Sequence, residues 1–263
     1  MKKGDFFYEL LLYNNGINII VTGSRRLIMK RVEMKEKAKD IIKGKVFFSF
    51  IIVFLYGVIM SIPEALFSAT RAGENNGVLI AFSTISLIGT IFLLPIRYGV
   101  VLYFHDISNG RDGKVEGFFA PYKEKFWQEM LKARLLANIY IALGTICLIV
   151  PGIYLALKYS QIEYCFLENK QMKYKEAMNK SAEIMKNNKM ERFVLGLSFI
   201  GWYLLIPLTL GFILIYLLPY IEATTLQFYY AKSGFSSPSD QEVIFVDSAE
   251  VEIKDAPNED FWK

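Results

Sequence analysis

The sequence has few of the residues on which catalysis and metal binding usually depend. Its 263 residues include one histidine and two cysteines. A metalloprotease that holds zinc through two histidines on one helix is therefore excluded. Ser-His-Asp catalysis would have to use His105, beside Asp106, and a lone His-Asp pair is more often an exposed helix end. No G-x-x-x-x-G-K-[ST] loop occurs, which excludes nucleotide hydrolysis by that route. We expect no autonomous enzyme.

Other common signatures are missing as well. Cys147 and Cys165 fall in predicted membrane spans near opposite ends of a hairpin, and their placement favours neither a disulfide nor a metal site. No small-residue cleavage site follows the first apolar run, so we expect an uncleaved first span rather than a signal peptide. The apolar runs contain no G-x-x-x-G helix-dimer motif. We expect no cofactor, no metal and no nucleic-acid partner.

Long apolar runs are what the sequence does have. It is 53% hydrophobic, with a mean hydropathy of +0.29. Several runs approach the ~20 apolar residues needed to cross a 30 Å hydrocarbon core. They are Val46–Ile62, Val78–Phe104, Leu135–Val150, Phe193–Ile206 and Leu210–Tyr230. The composition therefore indicates an all-α, polytopic membrane protein.

The distribution of lysine and arginine predicts how the chain crosses the membrane. These residues cluster before Lys45 and in the connections His105–Arg134 and Glu168–Arg192, whereas Pro63–Gly77 holds only Arg71. Positive residues stay on the cytoplasmic side, so we expect a cell-membrane protein with both termini in the cytoplasm. An even number of crossings follows. Six helices in three hairpins satisfy it, with a turn at Pro151–Gly152.

The fourth of these helices is the weakest prediction. It would run over Gly152–Leu167, where Lys158, Gln161 and Glu163 interrupt an apolar segment of sixteen residues, or about 24 Å. Such a helix needs neighbouring helices to shield its charged face from lipid. We therefore expect that face to point into the bundle.

Two basic connections have the periodicity of amphipathic helices. One is the segment GFFAPYKEKFWQEML, and the other is MKYKEAMNKSAEIMKNNKM, with an apolar stripe that includes Ala177, Met178 and Met185. We expect both on the cytoplasmic surface, with their lysines towards the anionic headgroups of the bilayer. The alternative is a docking face for a cytoplasmic partner.

The two ends of the chain differ from the membrane portion, which we place at residues 34–231. Residues 1–33 form an apolar extension in which Arg25–Arg26 precede Met29. If AGG codons encode that pair, it is a ribosome-binding sequence, and the hypothesis follows that the first 28 residues are not translated. Residues 232–263 are acidic with little apolar periodicity, which predicts a disordered cytoplasmic tail.

Four ionisable residues inside predicted spans are the candidate polar site: Arg97, Lys158, Glu163 and Glu222. Intramembrane charges are rare and mark function by default, yet two acids and two bases also balance without a ligand. We favour structural pairing, with Glu222 as the first choice of partner for Lys158 and Glu163 as the second. Pro95 and Pro219 lie nearby and free backbone carbonyls in their helices.

From about Met34 to Tyr230 the sequence resembles an uncharacterised family of bacterial integral membrane proteins, domain of unknown function 975. The segments KEKAKDIIKGK, IVPGIYLALKYS, EAMNKSAEIMKNNKMERFVLGLSFIGW and LPYIEATTLQFYY carry the resemblance. Residues Asn187–Met190 replace a Gly-His-Lys-Trp-like motif of the family, so a role for that histidine does not transfer. The family is similar in outline to membrane domains that precede some glycerophosphodiester phosphodiesterases. The resemblance implies six helices and no assigned activity.

Two classes of function are compatible with these features. The first is a non-catalytic membrane module that binds or transports a small solute or an amphiphile. The second is a membrane-embedded interaction or regulatory protein, an immunity or stress factor that acts through a membrane protein partner. A ligand-binding bundle should leave the four candidate residues accessible to water, whereas an interaction protein should keep them sealed.

Overall fold

A computed structural model describes residues 31–70, 76–124 and 126–235, and these residues form helices and no strand. The first six α-helices are α1 (Arg31–Ile42), α2 (Val46–Thr70), α3 (Asn76–Leu93), α4 (Arg97–Ser108), α5 (Ala120–Lys123) and α6 (Trp127–Cys147). The others are α7 (Ile149–Lys158), α8 (Ile162–Glu168), α9 (Tyr174–Ile184), α10 (Lys189–Leu197), α11 (Ile200–Tyr203), α12 (Leu205–Leu208) and α13 (Leu214–Ser233). The predicted all-α class is confirmed for this part of the chain. The proposed start at Met29 and the acidic tail beyond residue 235 lie outside it.

Within the described part of the chain, four helical segments are long and apolar enough to cross a membrane. They are Val46–Ser68, Leu79–Ser108, Trp127–Cys147 and Lys189–Leu208. The second joins α3 to α4 through a 3₁₀ turn at Leu94–Ile96, which contains Pro95. Proline lacks an N–H and disrupts the preceding helical turn. The Tyr122 hydroxyl, whose pKa burial raises to about 12, donates a 2.5 Å hydrogen bond to the Phe92 carbonyl beside this kink.

The turn between α6 and α7 lies earlier than the sequence suggested. Leu148 is the extended residue between the two helices, and Pro151 and Gly152 belong to the first turns of α7. Proline is accommodated there because the first N–H groups of a helix have no intrahelical partner. Gly152 lets the two helices approach closely, since a Cβ at this position would lie 2.9 Å from the Cα of Thr145.

The predicted fourth helix is broken in two. α7 ends at Lys158 and α8 begins at Ile162. The hydroxyl of Ser181, on α9, donates to the Lys158 carbonyl at 2.9 Å and accepts from the Gln161 N–H at 3.2 Å. A side chain from a neighbouring helix therefore satisfies the backbone groups that the break exposes.

Of the two predicted amphipathic helices, only the second forms as a single helix in the structure. The segment from Gly117 to Leu131 is not one helix, because it is divided among a 3₁₀ turn at Val115–Phe119, α5 and the start of α6. The second is α9, and its predicted apolar stripe is buried at Ala177, Met178 and Met185. That stripe packs against α6 and α8, so protein rather than lipid covers it, and the contact of its lysines with headgroups stays a prediction.

The most enclosed element is α13. Residues Ala223–Tyr230 form an unbroken run of buried positions. α1 packs along this helix through Met34, Ala38 and Ile42, and α2 and α4 also contact it. The helix ends at Gly234, which adopts a positive φ of 76° that a residue with a side chain rarely takes.

Candidate functional site

Arg97 and Glu222 form an ion pair between α4 and α13. Arg97 Nη1 and Nη2 donate to the two Glu222 carboxylate oxygens, each at 2.8 Å. The 3₁₀ turn places Arg97 at the start of α4, and Glu222 follows Pro219 by one turn of α13. The side chains are 25% and 12% exposed, and the Arg97 guanidinium lies 5.6 Å from the centre of the Tyr56 ring. This two-point geometry fixes the guanidinium between two helices.

A second buried pair joins α6 to α8. Nε and Nη2 of Arg134 both contact one carboxylate oxygen of Glu163. The Glu163 side chain is only 3% exposed, and that of Arg134 is 19% exposed. Sequence reasoning assigned Arg134 to the basic connection before the third span. Because α6 begins at Trp127, this arginine lies two turns inside the helix.

The predicted pairing of Lys158 with Glu222 is wrong, and so is the second choice of Glu163. Each glutamate is paired with an arginine instead. Over the described part of the chain, no carboxylate lies within salt-bridge distance of Lys158. Its Nζ is 5.0 Å from the centre of the ring of its own neighbour, Tyr159. The structure therefore brings Arg97 together with Glu222 and separates Lys158 from this pair.

Arg192 is a third partly buried arginine, and it lies near α13. Its Nη2 donates to Thr225 Oγ1 at 3.2 Å, and its guanidinium lies 5.8 Å from the centre of the Phe228 ring. Its Nε is buried without a hydrogen-bond partner, and no carboxylate pairs with it among the described residues. The sequence-based assignment placed it in a basic connection, whereas α10 already begins at Lys189.

A cavity of about 220 Å³ opens onto the two paired arginines. Its lining consists of Tyr56, Leu94, Arg97, Arg134 and Asn138. Glu163 and Glu222 are not part of this lining. The cavity wall therefore combines guanidinium, amide and phenol groups with the apolar side chain of Leu94, and includes neither glutamate.

A larger cavity of about 400 Å³ lies at the connection between α4 and α5. Charged side chains of both signs line it: Asp106, Arg111, Asp112, Lys114, Glu116, Lys123 and Glu124. Over residues 31–70, 76–124 and 126–235, no group of three or more His, Cys, Asp or Glu residues could hold a metal ion. The His105 Nδ1 contacts the Tyr230 hydroxyl at 2.7 Å, and Asp106 pairs with Arg111 at 3.6 Å. These two residues thus contact other side chains rather than forming a dyad.

Residues 135–233 match the family model described as protein of unknown function (DUF975). The matched segment contains both glutamates of the two pairs, whereas Arg97 and Arg134 precede it. The comparisons with curated proteins and with solved structures found no match. The site geometry, rather than a characterised relative, therefore carries the functional argument.

Proposed function

We propose that this protein is a non-catalytic membrane module that binds a small solute or an amphiphile in the cavity beside Arg97 and Arg134. The observation that carries this proposal is the composition of the cavity wall. Two arginines line the cavity, each is paired with a glutamate, and each keeps N–H donors that its ion pair does not use. A guanidinium has five N–H donors, and neither ion pair uses all of them.

The position of the cavity supports a ligand that comes from the bilayer. Its lining residues belong to three of the four segments able to cross a membrane. Tyr56 lies ten residues from the start of α2, and Arg97 lies eleven residues from the end of α4. At 1.5 Å per residue, both are about 15–17 Å from these helix ends. That distance is roughly half of a 30 Å hydrocarbon core.

The finer topology is part of the proposal. We infer six crossings in three hairpins, with both termini in the cytoplasm, because the basic connections alternate with weakly charged ones. In this arrangement α7 with α8 supplies the fourth crossing and α13 the sixth. Neither is among the four segments that are apolar enough by themselves. The polar part of each crossing is enclosed, because α8 and residues Ala223–Tyr230 of α13 are buried among other helices, and this is the condition under which a polar crossing is tolerated.

Cysteine labelling from each side of the membrane tests this topology. Single cysteines would be introduced into a chain in which Cys147 and Cys165 have been replaced. Positions in Glu64–Asn76 should react from outside, and positions in Lys114–Lys125 and Lys173–Lys189 only from inside. Opposite accessibility in any of the three regions would contradict the hairpin topology.

An interaction or regulatory protein is the alternative, and two observations weigh against it. Its polar cluster should be sealed, yet the Arg97 and Arg134 side chains remain 25% and 19% exposed. It would also need an open docking face, and the apolar face of α9 is already packed against α6 and α8.

Co-purification tests the binding function itself. The parent protein and an Asn138→Phe variant would be purified in mild detergent, and the small molecules bound to each identified by mass spectrometry. Phenylalanine should fill the cavity and release a molecule that the parent retains. Ile139→Phe is the matched control, because Ile139 is the next residue of α6, is 47% exposed and does not line the cavity. Identical bound molecules in all three proteins would contradict the proposal.

A further inference from the structure

The hydrogen-bond donors of the cavity wall indicate the charge of its ligand. Arg97 uses one N–H on each Nη for Glu222, which leaves its Nε–H and the other Nη hydrogens available. Arg134 uses Nε and Nη2 for Glu163, which leaves Nη1. Asn138 and Tyr56 add neutral donors. Since no carboxylate lines the cavity, the wall favours a ligand rich in acceptor oxygens.

The charge balance around the cavity points in the same direction. Arginine remains protonated in proteins. The buried cluster contains three guanidinium groups, those of Arg97, Arg134 and Arg192, and two carboxylates, those of Glu163 and Glu222. Arg192 Nε is also buried without a partner. The cluster therefore has one positive charge more than its glutamates neutralise, and an anion would compensate it.

The size of the cavity limits how much of a ligand can enter. Pockets that enclose a drug-sized molecule usually measure ~300–1,000 Å³, whereas this cavity measures about 220 Å³. A compact headgroup fits this volume, and an attached chain does not. Large apolar side chains are exposed on the same helices, among them Phe54 on α2 and Leu143 on α6. An acyl chain could lie against such faces while the headgroup occupies the cavity.

We propose that the cavity binds the oxyanion headgroup, a phosphate or a carboxylate, of an amphiphile whose chain stays in the bilayer. Arg97 and Arg134 are the charged ligands of the oxyanion, and Asn138 and Tyr56 supply neutral hydrogen bonds. This inference rests on the proposed function, because it names the class of molecule that the same cavity would take.

Binding titrations with three defined probes test the headgroup class. The purified full-length protein would be titrated with dihexanoyl phosphatidic acid, with dihexanoyl phosphatidylcholine and with inorganic phosphate, and bound species counted by native mass spectrometry. Hexanoate, whose carboxylate is attached to an alkyl chain of matching length, provides the carboxylate arm of the titration. We expect the anionic amphiphiles to bind at least about tenfold more tightly than the zwitterionic one, as the loss of one charge-assisted hydrogen bond implies.

Two variants separate headgroup recognition from folding. Arg134→Gln with Glu163→Gln removes both charges of one pair, so that no buried charge is left alone, and should weaken binding of the anionic amphiphiles by about tenfold. Lys132→Gln is the matched control, because Lys132 lies on the same helix but is 55% exposed and does not line the cavity. Its affinity should equal that of the parent.

Each result decides between the two proposals. Equal affinity for zwitterionic and anionic amphiphiles, abolished by Asn138→Phe, would overturn the oxyanion inference and leave the binding function standing. If inorganic phosphate binds as tightly as the anionic amphiphiles, the acyl chain contributes nothing to binding. That result would overturn the amphiphile part of the proposal and identify a site for a small solute. No cavity-dependent binding of any probe, together with no molecule lost from Asn138→Phe on co-purification, would overturn both proposals.

Discussion

The hairpin tips and the middle of α13 show opposite relations between polarity and burial. At the tips, Ile146, Val150, Leu208 and Leu210 are apolar and 75–87% exposed. In the middle of α13, the segment Ala223–Tyr230 is completely buried although it includes threonine and glutamine residues. In a water-soluble protein this distribution would be inverted. This distribution is typical of membrane proteins, because lipid accepts apolar side chains while polar groups require protein partners.

The hydropathy of a helix in this protein is related to its exposure and not to its position in the bundle. The four segments identified by length and composition expose much apolar surface, as does the shorter helix α7. α13 is not among them, although it is the most enclosed helix of the described residues. A helix enclosed by other helices can carry Glu222 because Arg97 satisfies the carboxylate. Hydropathy therefore indicates contact with lipid, not depth within the bundle.

The comparison predicts that breaking an ion pair lowers the free energy of unfolding more when the pair is more deeply buried. Arg134→Met leaves Glu163, 3% exposed, as an unpaired buried charge, and should lower the free energy of unfolding by about 3–5 kcal/mol. Denaturant titration in mixed micelles measures this loss. Arg134→Met with Glu163→Met should recover most of it. Lys132→Met, at an exposed pair on the same helix, should cost less than about 1 kcal/mol. Similar losses for the two single variants would contradict the argument.

The pair beside the cavity should be less costly to break. Arg97 lines the cavity and contacts Glu222, so we expect Arg97→Met to open Glu222, whose side chain is already 12% rather than 3% exposed, to water. We expect a loss of about 2–3 kcal/mol in the same titration. The double variant Arg97→Met with Glu222→Gln should regain much of that loss. A larger loss than that of Arg134→Met would show that the cavity does not hydrate Glu222.

At the tip of the α6–α7 hairpin, packing rather than charge should determine stability. A Cβ at Gly152 would lie within 3.0 Å of backbone and side-chain atoms of Thr145. Gly152→Ala should therefore push the helices apart and cost about 1–3 kcal/mol. At Gly57, inside α2, a Cβ meets nothing within 4 Å, so Gly57→Ala should be neutral or stabilise by about 0.5–1 kcal/mol. Thermal melting of the two variants side by side measures the contrast, and equal melting temperatures would refute it.

The sequence predicted the features that depend on local composition. The apolar runs located the helices around Val46–Ser68, Leu79–Ser108 and Trp127–Cys147, and Arg97, Glu163 and Glu222 are all in ion pairs. It did not predict the partners, because pairing depends on which helices are neighbours and not on the order of charges along the chain. Arg134 and Arg192 were missed because their helices begin earlier than the apolar runs do.

The break between α7 and α8 was also unpredictable from local signals. Residues Tyr159–Gln161 contain neither proline nor glycine, which are the usual markers of a helix end. The break is held by Ser181, twenty residues beyond Gln161. A tertiary contact therefore overrides the local preference of this segment. For the same reason, the amphipathic pattern of α9 did not reveal whether its apolar face would contact lipid or protein.

Replacement of Ser181 should weaken the contact between α9 and the break. Ser181→Ala leaves the Lys158 carbonyl and the Gln161 N–H without their partner, and should cost about 1–2 kcal/mol. Ser68→Ala is the matched control, because the Ser68 hydroxyl is exposed and donates to the Ala65 carbonyl of its own helix. Hydrogen exchange should rise at residues 159–162 in the first variant alone. Unchanged exchange at these residues would show that the break does not need this side chain.

The smallest effect is expected at Lys158, although it lies in the middle of an apolar sequence. It is the last residue of α7, where the negative end of the helix dipole favours a cation, and its ammonium faces the Tyr159 ring. These two contributions are modest, so Lys158→Met should cost no more than about 1 kcal/mol. A double-mutant cycle with Glu222→Gln should give an interaction energy near zero, because Glu222 is occupied by Arg97. Coupling above about 0.5 kcal/mol, measured by unfolding in mixed micelles, would mean that the two charges do meet. If the losses in the free energy of unfolding are nearly additive, no salt bridge stabilises Lys158. The lysine is then tolerated because α7 ends at this residue.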